Sequence, residues 1–280
     1  MLVTALLLPQ PSEGQAVIGA DVATRSNYVW RGITLSNRMV VQPAGFLGYD
    51  SGHGILSAGA WASIEPLTPG SDDLTDAGRD GNALAEIDYW IQYAQRLGSP
   101  YAVDIAMGFT GYTFHGDSAS GGRGSEWDTK EVYGSVRATG MLGPASLSWS
   151  GWKDVGRIGG FYTELGAALS IPIFPAGEPL GSLLLGGLAG FSWDQQSSST
   201  PGTGYYQGEG LTHLDFSLSA TPTLRIGTVP IVFFTALHVQ VGKDEVTERR
   251  GMDPANTSQV FAWFELTVST WHTFGRAFRP

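Results

Sequence analysis

From Val17 onward the chain alternates apolar with polar or small residues at a period of two, in segments of about 9 to 16 residues repeated along its length. Such alternation gives a strand one greasy face and one polar face. In residues 86–97, Ile87, Tyr89, Ile91 and Tyr93 share one face, and Glu86, Asp88, Trp90, Gln92 and Arg96 share the other. Val103, Ile105, Met107 and Phe109 oppose Asp104, Ala106, Gly108 and Thr110. Later, Leu214, Phe216 and Leu218 oppose His213, Asp215, Ser217 and Ser219, and Phe264, Leu266 and Val268 oppose Glu265, Thr267 and Ser269. Glycines and β-branched residues interrupt every helical window, and no capping box precedes a 3.6-residue period. The pattern predicts about 12 strands, near 19–33, 39–49, 55–65, 84–97, 101–114, 127–139, 144–153, 160–173, 181–194, 210–225, 229–242 and 258–273.

The connections between these segments alternate in length. Tight turns are expected at 50–54, 98–100, 140–143, 175–179 and 226–228. Long polar stretches rich in Gly, Ser, Asp and Pro occupy 66–83, 115–126, 195–209 and 243–257. A soluble sandwich has no reason to gather its long loops at one end, whereas transmembrane barrels pair short periplasmic turns with longer external loops. A spanning helix is excluded, because the longest apolar runs, at 183–188 and 231–237, fall far short of the roughly 20 residues it needs. Charged residues make up only 15% of the chain, and strands in lipid must pair every backbone group, which only closure achieves. The expected fold is therefore all-β: a closed antiparallel transmembrane barrel of about 12 strands in the bacterial outer membrane, with both termini in the periplasm. Aromatics near strand ends, namely Tyr28, Trp30, Trp61, Tyr112, Phe114, Trp149, Trp152, Trp193, Trp263 and Trp271, are expected in interfacial girdles.

Residues 1–16 read as the back half of a secretory signal peptide, an apolar run from Leu2 to Leu8 followed by Pro9, Pro11 and a small-residue ending, which leaves 17–280 as the barrel. The absence of cysteine removes disulfides, thiolate metal sites and cysteine nucleophiles. A net charge of −10 without a basic stripe argues against nucleic acid as a partner. The acidic segment with Asp72, Asp73, Asp76 and Asp80 lacks the spacing of a calcium loop and reads as solvated, so no metal site and no cofactor is expected.

The segment Ser26-Asn27-Tyr28-Val29-Trp30-Arg31-Gly32-Ile33-Thr34-Leu35-Ser36 resembles the N-terminal signature of the TorF-like porins. Gln42-Pro43-Ala44, Gly59-Ala60-Trp61-Ala62-Ser63 and Glu86-Ile87-Asp88 are similar to the next strands of that family, while the second half matches in strand pattern alone. The resemblance implies an outer-membrane barrel of porin type and carries over no catalytic residue or substrate. Such barrels end on an aromatic residue; here Phe274 and Phe278 stand close to the end, and Arg279-Pro280 come after them.

Assigning the polar faces to the lumen collects Arg25, Arg31, Glu86, Asp88, Asp104, Glu131, Arg137, Glu164, His213, Asp215, His238 and Glu265 as pore-lining residues, with Arg96 beside them. Carboxylates exceed guanidinium groups in that set, and carboxylate rings favour cations. One reading is a narrow, weakly cation-favouring channel for small solutes or ions. The other is a barrel filled by internal ion pairs, which presents its long loops to a partner or to another copy of the chain. A third and remote reading is an outer-membrane hydrolase built on His213, Asp215 and His238 with Ser217 or Ser219 as nucleophile, although spacing alone gives it little weight.

Overall fold

The computed structural model describes residues 14–36, 38–65, 84–98, 102–115, 128–157, 159–173, 182–195, 209–227, 229–242 and 260–274. The strands are β1 (Gln15–Arg25), β2 (Tyr28–Trp30), β3 (Ile33–Ser36), β4 (Val40–Asp50), β5 (Ile55–Ile64), β6 (Leu84–Leu97), β7 (Ala102–Phe114) and β8 (Thr129–Leu142). They continue as β9 (Ala145–Asp154), β10 (Phe161–Pro172), β11 (Ser182–Trp193), β12 (Gly210–Ala220), β13 (Thr223–Ile226), β14 (Val229–Gly242) and β15 (Val260–Phe274).

All strands but β2 and β3 join one antiparallel sheet, and the sheet closes where β1 pairs with β15 from Ala16↔Phe274 to Arg25↔Glu265. β12 and β13 both pair with β14 and form a single stave, interrupted at Thr221 and Pro222, where proline has no N–H to give the ladder. Twelve staves result. Their outer face carries the apolar half of each alternation, with Ile18, Leu47, Tyr89, Ile91, Met107, Leu165, Phe216 and Phe264 all exposed. Closed, apolar outside and polar within, the chain is an outer-membrane barrel.

The tight turn at 51–54 is closed by Ser51 N–H donating to the Gly54 carbonyl and Gly52 N–H donating to Asp50 Oδ1, and His53 is exposed there. The stretches 66–83, 116–127, 196–208 and 243–259 lie outside the described residues, and with them the acidic segment from Asp72 to Asp80 and the loop surfaces offered to a partner. So do residues 1–13; the ladder itself starts at Gln15, two residues before Val17.

Two expectations need correction. The first wall strand does not run to residue 33 but leaves the wall after Arg25, and residues 28–36 fold inward as the β2–β3 hairpin. Its own alternation is indistinguishable from that of a wall strand, which is why the pattern misled. The aromatics do not all form girdles: Tyr28, Trp30, Trp61, Tyr112, Phe114, Trp152 and Trp263 are buried inside the barrel. Trp149 and Trp193 do face outward, at 41% and 39% exposure. Parity decides this. Trp152 shares its face with Ser146, Ser148 and Ser150, whereas Trp149 shares the other with Leu147.

Candidate functional site

The inward hairpin organises the interior. Arg31 and Gly32 form its two-residue turn with positive φ at both positions, 50° and 83°, the combination of a type I′ turn. Glycine is required at the second position for space as well as conformation, since a Cβ on Gly32 would lie 2.5 Å from the His213 ring. The hairpin branches off where β1 and β4 are already paired at Arg25↔Val40, so its base is fixed by the barrel ladder.

The Arg31 side chain crosses to the opposite wall. Its two terminal nitrogens donate to Glu131 Oε1 and Oε2 at 2.7 and 2.6 Å, and both side chains are shut off from solvent. Its guanidinium lies 4.5 Å from the rings of Trp30 and Trp152 and 4.8 Å from Tyr162. Tyr112 donates a further hydrogen bond to Glu131 Oε2 at 2.7 Å. Planar stacking and bidentate pairing are what a guanidinium offers and an ammonium does not.

The rest of the hairpin is tied down as well. Tyr28 donates to Glu86 Oε2 at 2.9 Å and packs against Trp61, Trp30 meets Tyr112 edge-on, and Gln240 donates to the Gly32 carbonyl at 2.9 Å. Counting Trp61, Glu86, Tyr112, Glu131, Trp152, Tyr162, His213 and Gln240, it touches eight of the twelve staves. Ile33, Leu35 and Val40 complete an apolar cluster around it.

Of the sequence-predicted lumen residues, Arg31 lies in the hairpin and the others lie on the inward face of the wall. Three ion pairs consume five of them and Arg96: Arg31–Glu131, Arg25–Glu265 at 3.1 Å and Arg96–Asp104 at 2.6 Å. His238 Nδ1 meets Asp215 Oδ1 at 3.0 Å while its ring stacks on Trp263 at 3.8 Å. His213 stands at the register shift at Gly190/Phe191, and its Nδ1 meets the Thr212 hydroxyl at 3.0 Å. Glu164 accepts from Tyr162, and Arg137 is the ladder partner of Asp104. Asp88 is wholly buried beside Glu86, and among the described residues neither of its carboxylate oxygens meets the geometry of a hydrogen bond. Ser217 is the ladder partner of His238, but its hydroxyl leans over Gly186 on the other neighbouring stave.

Sequence reasoning missed Tyr112, Trp152 and Tyr162 as the groups that hold Arg31. Strand parity carried the signal for Trp152, which stands on the serine face of β9. Toward the end where the termini lie, Arg96 and Asp104 remain open to solvent at 39% and 30%, while Val17 and Asp50 are buried. The interior is thus filled at the external end and reached by solvent at Arg96 and Asp104 toward the other.

Fold, closure and face chemistry define the class: a transmembrane β-barrel of the bacterial outer membrane. The chain belongs to Gcw_chp, a bacterial protein family of unknown function, whose profile matches residues 10–177. No curated protein matches the sequence. Among solved structures it is similar to an outer-membrane channel from Pseudomonas putida F1, with 12% identity over 94% of this chain and 96% of that one and a TM-score of 0.48. It is also similar to the KdgM porin in complex with disordered oligogalacturonate, with 6% identity, coverage of 92% and 99%, and a TM-score of 0.42. Outer membrane phospholipase A from Escherichia coli gives 13% identity, coverage of 96% and 98%, and a TM-score of 0.41.

Proposed function

We propose that this chain is a porin-type passage protein for small solutes or ions, in keeping with its TorF-like segment, and that the β2–β3 hairpin constricts its lumen. The observation that carries the reading is the two-part interior: a polar, solvent-reached section on the terminal side leads up to a hairpin that is a separate element from the wall. A barrel built only as a scaffold has no need of an accessible polar half.

Weak cation preference belongs to the same proposal. After the three ion pairs are set aside, Glu86, Asp88, Glu164 and Asp215 stand against Arg137 alone among the carboxylates and guanidinium groups of the twelve lumen residues and Arg96. The residual carboxylates gather around the hairpin, where the passage is narrowest. Covalent catalysis is the reading this geometry favours least, because the Asp215–His238 pair has no hydroxyl turned toward it from its ladder partner Ser217.

The test is planar-bilayer conductance of the refolded protein under a salt gradient, compared with a variant in which Asn-Gly replaces residues 26–39 between the paired Arg25 and Val40. We expect small cation-favouring steps from the native chain and steps several-fold larger from the variant. Silence from both proteins, each properly inserted, would replace the channel with a filled scaffold. The buried Arg31–Glu131 pair is the observation that favours that second reading.

A further inference from the structure

The outer surface holds a feature the lumen does not explain. At the external ends of β6, β7 and β8 there is a cleft of about 490 Å³ at the rim of the wall, lined by Tyr89, Asp128, Lys130, Val155 and Arg157 and, from the inward face, by Tyr112 and Thr129. Lys130 is exposed on the lipid-facing side of β8, between the buried, inward-facing Thr129 and Glu131. Lys153 points the same way from β9, opposite Val132, so the two lysines stand at diagonal ladder positions on adjacent strands. Arg157 is brought beside them by the short β9–β10 connection, whose chain is anchored by Val155 N–H donating to the Lys130 carbonyl and Arg157 N–H donating to Thr129 Oγ1.

This concentration of positive charge is unusual for this chain. The sequence has a net charge of −10 and only three lysines, two of which are Lys130 and Lys153. Among the described residues, the acids beside these cations are Asp154, which turns inward to Thr129, and Asp128, which lines the cleft with Oδ1 engaged by the Phe114 N–H. Lys153 also donates to the Gly159 carbonyl, which holds its ammonium near the connection.

Beside the cleft the outer wall carries aromatic side chains. Tyr89 lies flat over Gly111, the ladder partner of Lys130, and packs on Phe109. Phe161 is the ladder partner of Lys153 and belongs to an outward cluster with Phe191 and Trp193. Aromatics at this depth mark the membrane–water boundary. Cations beside aromatic side chains at that boundary match a lipid that carries anionic phosphate over acyl chains. The long loops place this end on the cell exterior, so the lipid is one of the outer leaflet.

We propose that this cleft binds a phosphorylated glycolipid of the outer leaflet, with Lys130 and Arg157 of its lining and the neighbouring Lys153 on its phosphate and Tyr89 and Val155 against its chains. The site is independent of whether the lumen conducts.

The test is native mass spectrometry of the full refolded chain in detergent micelles, titrated separately with bisphosphorylated lipid A, dephosphorylated lipid A and inorganic phosphate. Bisphosphorylated lipid A should give one retained adduct. The exposed double variant Lys130→Gln/Lys153→Gln should weaken it about 30-fold, at two surface cations removed. Arg157→Gln alone should weaken it several-fold, and Arg225→Gln, at the opposite end of the barrel, should leave it unchanged. Equal binding of dephosphorylated lipid A would overturn the proposal, as would full retention by the double variant. Inorganic phosphate binding as tightly as the lipid would replace the glycolipid with a free anion.

Discussion

At the scale of single residues, the interior turns on Arg31. Its backbone stands at φ 50°, a conformation that costs a non-glycine residue about 1 kcal/mol, and its charge is withdrawn from water. Both costs are offset by contacts made only if the hairpin is docked: two charge-assisted hydrogen bonds to Glu131 and three aromatic faces around the guanidinium. Desolvation makes the pair asymmetric. Removing one partner strands a buried charge, whereas replacing both with apolar side chains removes the problem. Arg31→Met and Glu131→Leu should therefore each destabilise the folded protein by about 3–5 kcal/mol, and the double variant should recover most of that loss. Denaturant titration of the three variants in micelles, followed by tryptophan fluorescence, measures it. Additive losses in the double variant would show that the two groups are not coupled. Arg31 and Glu131 were both legible in the sequence as polar-face residues, because parity along a strand survives without knowledge of what the strand pairs with. Their partnership was not legible, since it spans a hundred residues and depends on the hairpin folding across the lumen.

At the scale of elements, register explains what alternation could only mark. Several inward aromatics have a glycine as ladder partner: Phe46 opposite Gly19, Trp90 opposite Gly59, Tyr133 opposite Gly108. The ring lies over the glycine and covers its bare backbone, which pins register and gives the ring a fixed place in a crowded interior. Trp90 was legible as a member of the polar face of its strand, an oddity on composition alone. Gly59 resolves it, yet pairing Gly59 with Trp90 requires the β5–β6 register, which no local pattern contains. The staves themselves were readable to within a few residues, because lipid on one side and polar groups on the other impose the same alternation on each. The hairpin was not, because its short strands obey that alternation for a different reason, with Tyr28 and Trp30 turned to the apolar cluster. Filling a covered glycine should disturb both partners. A Cβ on Gly59 would stand 2.3 Å from the Trp90 ring and 2.6 Å from the Gly45 carbonyl, and only the ring can move. Gly59→Val should thus lower stability by about 1–3 kcal/mol, the range for an overpacked interior, and Trp90→Ala in the same chain should relieve part of it. Unfolding midpoints of the two variants decide this; a native midpoint for Gly59→Val would mean that the ring is not seated there.

At the scale of the whole molecule, the inward charges divide along the barrel axis. Asp21, Glu86, Asp88, Glu131, Asp154, Glu164, Asp215 and Glu265 all lie within five residues of the external ends of their strands, where, among the inward residues of the described strands and the hairpin, Arg25 and Arg31 oppose them. At the other end, Arg96, Arg137 and Arg225 face Asp50 and Asp104, again within five residues of the strand ends. Eight carboxylates against two cations leave the external half at −6, and three cations against two carboxylates leave the terminal half at +1. Composition gave the total but not this division, which depends on where each strand begins. Ion pairing lessens the fields without erasing the asymmetry, since the Arg25, Arg31 and Arg96 pairs are each neutral. A conducting path with fixed charge of opposite sign at its two mouths accumulates mobile ions under one polarity and depletes them under the other. Current through the native chain, or through the chain shortened at the hairpin, should therefore rectify at low salt and become symmetric as screening shortens below the barrel length, near 1 M salt, where the Debye length is about 3 Å. Neutralising the terminal mouth with Arg137→Gln should reduce the rectification while keeping cation preference, because the residual carboxylates near the hairpin are untouched. Current–voltage curves at 0.1 M and 1 M salt give both quantities from one preparation. Symmetric current at low salt would mean that ions do not pass both mouths in series, and the polar interior would then belong to a closed vestibule instead of a channel.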